Sequence, residues 1–259
     1  MFFRKLYPII WRDLHVSFCN LNSLINNFLA PSFLLIFYAV GMSTSFGNMV
    51  YQGKTINYFH FFFPGLIGMQ LVFIMSSVVS YLVLDNQRQV NALIVFTNVT
   101  MNHYYWGKYI ASVIITMTRI LFLYLTAVVF LNMHIVLKWG NLLLIILALL
   151  GGIFIFYNLG FIIGALIKNE SAKNFIMVML PSLFIFSSNS YYNTDNLPIL
   201  IKVISTYNPL VYLVRVLRDA ILLEHVPKEW HFNLSVVFIL CIILCPIALM
   251  IKNKLVYKM

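Results

Sequence analysis

Residues 141–167 read NLLLIILALLGGIFIFYNLGFIIGALI, with no Asp, Glu, Lys or Arg among them. A helix needs roughly 20 apolar residues to cross a ~30 Å hydrocarbon core, so this stretch spans a bilayer unaided. Five more stretches read the same way, and together they predict spans at 24–44, 60–84, 109–131, 141–167, 172–190 and 232–256. The whole chain agrees. Of its 259 residues, 62% are hydrophobic and 9% charged, with mean hydropathy +0.91, whereas a soluble domain usually carries about 25% charged residues. One core cannot hide that much apolar surface, so the bilayer is the solvent. Lipid offers no partner to backbone N–H and C=O, which leaves helices or closed barrels. Barrel strands are alternating segments of about ten residues, and the runs here are longer. The expected fold class is all-α: a polytopic membrane protein with six transmembrane helices.

Basic residues orient the spans. With the N-terminus inside, ten of the seventeen Lys and Arg residues fall in inner segments, six in outer ones, and Arg119 within span three. That bias predicts both termini in the cytoplasm. Ahead of span one, residues 1–23 form a candidate amphipathic helix at the cytoplasmic interface. From Pro8 onward, Ile10, Trp11, Leu14 and Phe18 share one face and Arg12, Asp13 and His15 lie elsewhere. Residues 24–259 then make the transmembrane domain. Between spans five and six, residues 191–226 hold two apolar pieces too short to span, placed as re-entrant helices on the outer side. The second piece opens with Asn208-Pro209, an N-cap followed by proline at the first helical position. Arg215 and Asp219, four apart, are expected to pair. Pro31, Pro181 and Pro246 fall inside spans, which membrane helices tolerate when neighbours satisfy the freed groups.

Several function classes are excluded by what is missing. The net charge of +10 comes from basic residues scattered at helix ends, not clustered with aromatics, so nucleic acid is not the partner. No carboxylate falls inside a predicted span, which argues against a proton- or sodium-coupled carrier. Gly53-Lys54-Thr55 resembles the end of a phosphate loop, but Gly47 to Gly53 has the wrong spacing and sits outside. No metal-ligand spacing and no nucleophile motif occurs, so no catalytic or metal residues are assigned. Cys19, Cys241 and Cys245 imply no external disulfide, and the charged first 20 residues lack the apolar core of a signal peptide. Gly160 and Gly164 form Gly-x-x-x-Gly, a close-approach motif in lipid. Arg119 is expected to face a protein interface or wet groove. Its candidate partners are carbonyls, the hydroxyls of Thr116 or Tyr124, or a ligand's anionic group.

Three motifs carry a resemblance. These are Phe63-Pro64-Gly65-Leu66 at the start of span two, Gly107-Lys108 before span three, and Asn208-Pro209-Leu210-Val211-Tyr212 followed by Arg218. With the amphipathic N-terminal helix and the short outer helices, they make the chain resemble the ABC type-2 permeases, closest to the drug- and lipid-exporter branch. The resemblance spans nearly the whole length. It departs at Gln89-Val90, at Asn98 and in Ser187–Thr194, where members often carry Gly-Thr, Pro, and Gly with Pro. It implies a non-enzymatic permease in a prokaryotic plasma or inner membrane, paired with a second permease chain as a homodimer. It further implies two cytoplasmic ATPase subunits that hold the ATP and Mg, with no cofactor in this chain. Residues 85–108 become the coupling segment, with Asp85, Arg88, Leu93, Ile94, Phe96, Gly107 and Lys108 as its contacts; Asp85 and Arg88 are expected to set docking register by charge. Asn208, Pro209, Leu210, Tyr212 and Arg218 become an outer gate. The expected cargo is an amphipathic small molecule, lipid or glycolipid, and membrane lipids are expected neighbours. A polysaccharide exporter of the O-antigen, capsule or teichoic-acid type shares this architecture. A membrane-embedded lipid-modifying enzyme is the alternative from another class, and it needs paired catalytic groups at one depth.

Overall fold

Apolar runs become helices at the positions the sequence marks. The computed structural model describes all residues except 1, 40, 43–46, 89, 91–98, 132–138, 168, 192–197, 224–228 and 253–259. In chain order the elements are α1 (Phe2–Cys19), α2 (Leu21–Tyr38), β1 (Asn48–Tyr51), β2 (Lys54–Asn57), α3 (Tyr58–Gln87), α4 (Met101–Leu131), α5 (Trp139–Leu166), α6 (Glu170–Phe186), α7 (Ile199–Tyr207), α8 (Pro209–Leu222) and α9 (Trp230–Ile251). Among the described residues, five helices (α2, α3, α4, α5 and α9) are long and apolar enough to cross a membrane. The pair α7–α8, bent by 82°, makes up to six, and α6 is a shorter apolar helix. The chain is an all-α polytopic membrane protein.

Helix α3 is the hub. It is apolar all round, and such a helix must be buried; it packs on α4, α5, α6 and α8. Glycines on α5 let α3 approach closely. A Cβ at Gly160 would lie 2.6 Å from the Met75 carbonyl oxygen, and one at Gly164 would lie 2.6 Å from Leu82 Cδ1. The Gly-x-x-x-Gly contact therefore lies within the chain. At the other end of α3, a Cβ at Gly65 would lie 2.4 Å from the Ser190 carbonyl oxygen.

Prolines shape two of the helices. Pro181 has no N–H for the carbonyl of Met177, and Ser76 Oγ of α3 donates to that carbonyl at 2.7 Å instead. Around Pro31, α2 alternates between α and π geometry, with π segments at Ile25–Leu29 and Leu34–Ala39. The Ala30 N–H accordingly reaches back five residues to the Ile25 carbonyl. Such π turns recur at functional sites.

Two expectations are corrected. Span five stops at Phe186, short of 190, because Ser187–Ser190 turn back; Ser188 Oγ donates to the Ile185 carbonyl at 2.7 Å. Residues 48–57 form an antiparallel ribbon that the sequence reading did not anticipate. Its two turn residues, Gln52 and Gly53, have φ of 47° and 79°, the left-handed pair a two-residue hairpin requires. The apparent phosphate-loop remnant is this turn.

Replacing Gly160 with Leu is expected to abolish the folded, monodisperse peak in fluorescence-detected gel filtration, because the obstacle is backbone. Gly41→Ala, where a Cβ meets nothing within 4 Å, should leave the peak unchanged.

Candidate functional site

Four charged side chains from three helices meet where α1 crosses the adjoining ends of α3 and α4. Lys108 Nζ of α4 lies 2.8 Å from Asp85 Oδ2 and 3.2 Å from Asp13 Oδ2. Arg12 bonds Asp13 Oδ1 at 2.8 Å and Asp85 Oδ2 at 3.1 Å. The Tyr104 hydroxyl donates to Asp85 Oδ2 at 2.5 Å, and the Lys108 ammonium lies over the rings of Tyr81 and Tyr104. Two acids and two bases cancel, and Lys108 is only 3% exposed. Burial alone would lower the Arg12 pKa, but Asp13 and Asp85 outweigh it and hold the guanidinium above its ordinary value. Gly107, one residue from Lys108, lets α1 approach: its Cβ would lie 3.0 Å from Ile9 Cγ2.

This cluster revises the reading of residues 85–108. Asp85 is buried in the last turn of α3, which runs to Gln87, past the predicted span end at 84. Its charge is spent internally, so it cannot set a docking register. Arg88 follows the end of α3 and is exposed. Leu93, Ile94 and Phe96 lie outside the described residues. Arg12, Asp13 and Tyr104 were not singled out from sequence; the one available signal was an acid–base pair on an amphipathic helix.

A second polar cluster lies at the ribbon end. Asn208 caps α8 by accepting from the Leu210 N–H, and its amide donates to the Phe184 carbonyl at 2.7 Å and Ser187 Oγ at 2.9 Å. Pro209 follows at the first helical position, and Leu210 is buried near Gly68. The Tyr212 hydroxyl donates to the Thr206 carbonyl. Arg218, 1% exposed, donates to the carbonyls of Phe61 at 3.1 Å and Asn189 at 2.7 Å, with its guanidinium 3.7 Å from the Phe61 ring centre. Asp219 accepts from Tyr51 and Gln52 of the ribbon at 2.6 and 3.2 Å, and no ion pair joins it to Arg215 among the described residues. Burial, then Asp219, raises the Tyr51 pKa above its ordinary value, so the phenol keeps the proton it donates.

Between the clusters lies a cavity of ≈ 320 Å³ walled by α2, α3, α4, α6 and Tyr191. Arg119 lines it and is 6% exposed. Neither Thr116 nor Tyr124 bonds it; among the described residues its Nε has no partner. Among the described residues no three His, Cys, Asp or Glu side chains gather as a metal site, and the three cysteines are free thiols.

A protein-family model described as ABC-2 type transporter matches residues 7–222, from α1 through α8. No curated protein matches the chain.

Removing one partner from a buried ion cluster leaves the others uncompensated, at a cost of about 3–5 kcal/mol. Lys108→Met is therefore expected to lower the thermal unfolding midpoint in detergent sharply. Adding Asp13→Asn and Asp85→Asn to it should recover most of the loss. A Lys108→Met protein as stable as the parent would contradict the cluster.

Proposed function

The chain belongs to the ABC-2 type transporter family, and we propose that it is the permease subunit of an ATP-driven exporter. It works as a homodimer with two separate cytoplasmic ATPase subunits, and moves an amphipathic small molecule, lipid or glycolipid out of the cell. ATP and Mg belong to the partner subunits. The N-terminal helix and the 85–108 segment face the cytoplasm.

The observation that carries this reading is the Asp13–Asp85–Lys108 cluster. It sits where the coupling segment leaves α3 and enters α4. A force applied to the segment there reaches α1, α3 and α4 together, because three of the four charges are almost closed to solvent and cannot separate cheaply. Helix α3 carries the displacement to its far end. There the Phe61 carbonyl holds Arg218 of α8, so the outer helices move with the rod. The Asn208–Arg218 group acts as an outer gate in this scheme. Leu93, Ile94 and Phe96 are its docking surface, since apolar side chains in a segment between spans mark a partner site.

The test is co-purification from native membranes, with the retained proteins identified by mass spectrometry. The unmodified chain is expected to retain an ATPase of the ATP-binding-cassette type. The Leu93→Asp/Phe96→Asp double variant is expected to lose it while keeping a monodisperse membrane fold, since each buried hot-spot side chain contributes ~2 kcal/mol or more. Retention and transport by the double variant would move the coupling site elsewhere. Failure of the unmodified chain to retain any ATPase would overturn the exporter reading.

A further inference from the structure

The cavity beside Arg119 has the makings of a binding site. Two side chains on its wall, Arg119 and Gln70, are 6% and 3% exposed. Neither makes a hydrogen bond or ion pair among the described residues. Buried polar groups are ordinarily paired, and a guanidinium with its N–H donors unspent presents a fork matched to carboxylate or phosphate oxygens. Among the described residues no carboxylate lines the cavity, so none of them competes for the charge.

The remaining walls divide by character. Asn26 and Asn27, from the π turn of α2, line it with Ser77 on the polar side, while Leu34, Leu66 and Phe73 supply an apolar side. Ser77 Oγ already donates to the Phe73 carbonyl, whereas the Arg119 guanidinium and the Gln70 amide keep their donors for a guest, with the Asn26 and Asn27 amides on the same wall. The volume falls at the low end of small-molecule sites. Asn26, Asn27 and Ser77 also line a larger, polar cavity of ≈ 770 Å³ that reaches Arg12 and Arg88 beside α1. The two cavities thus share three wall residues, and the larger one is also lined by Asp13 and Asp85.

We propose that this cavity binds an anionic amphiphile, with a phosphate or carboxylate on Arg119 and Gln70 and its chain along Leu34, Leu66 and Phe73. Identification of that amphiphile as cargo rests on the exporter reading; binding itself does not.

The test uses the full chain in phosphatidylcholine nanodiscs without ATPase, and measures saturable binding of tritiated dodecyl phosphate by scintillation proximity. The parent is expected to bind, Arg119→Gln to bind at least ten-fold more weakly, Gln70→Ala several-fold more weakly, and Arg119→Lys between parent and Arg119→Gln. Without probe, Arg119→Gln should unfold at no lower temperature than the parent, since it removes an unpaired buried charge. With probe, the parent's midpoint should rise more than that of Arg119→Gln. Unlabelled phosphatidic acid displacing the probe would mark a two-chain lipid as an accepted guest and support the site. Displacement by dodecanol as effective as by dodecyl phosphate, displacement by inorganic phosphate at the same concentration, or equal binding by Arg119→Gln would each overturn it. Such a failure would leave the ATPase partnership untouched, because no ATPase is in the assay.

Discussion

Asp13, Asp85 and Lys108 meet nearly closed to water, with Arg12 at the open edge, and the architecture turns on that meeting. Each charge alone would be expensive to desolvate, and their mutual attraction offsets the expense only when the geometry is close. Oδ2 of Asp85 accepts from Arg12, Lys108 and Tyr104 together, so small sliding of any helix uncovers a charge. A buried cluster of this kind is weak evidence for stability and better understood as a register device. It fixes where the surface helix α1 sits along α3 and α4. An amphipathic helix held only by its apolar face could slide; this one is pinned.

Lys108, Arg218 and Arg119 show three ways of holding a buried cation in a membrane protein. Lys108 is neutralised by acids. Arg218 keeps its full charge but spends its donors on the carbonyls of Phe61 and Asn189 and rests against an aromatic face. Arg119 does neither among the described residues, though a central Arg costs about 2.5–3.5 kcal/mol on insertion scales. The first two tie helices together at opposite ends of α3. The third lies between them beside open space, in the part of the bundle where packing is interrupted.

Composition and apolar run length made the helices legible, because a bilayer leaves the backbone few alternatives. The Asn208-Pro209 start of α8 was legible too, since capping is local chemistry. The ion cluster was not. Asp85 lies 73 residues from Arg12, and nothing local announces the pairing. A span boundary set by hydropathy alone placed Asp85 in a loop, whereas its helix continues to Gln87 because a neighbour neutralises the charge. The expected Arg215–Asp219 pair gave way for the same reason. Tyr51 and Gln52 arrive from a ribbon whose turn depends on two positive φ values, and they take the carboxylate. Gln70 went unnoticed because one amide in an apolar run carries no signal until its neighbours are known.

The two anchored ends of α3 make it a lever. Phe61, whose carbonyl holds Arg218, and Asp85, which holds Lys108, are separated along the axis by ~36 Å at 1.5 Å per residue. Between them the helix is clamped at Gly160 of α5, where backbone meets backbone and no flexible side chain can absorb a shift. Packed interiors transmit strain because they are dense. The same helix supplies Gln70, Phe73 and Ser77 to the cavity wall, whereas α2, opposite, departs from regular α geometry around Pro31. One wall of the cavity is thus a continuous α-helix and the facing wall is a helix with a shifted hydrogen-bond register. A displacement of α3 moves one wall of the cavity against α2. The proposed coupling route and the cavity therefore share one helix, α3.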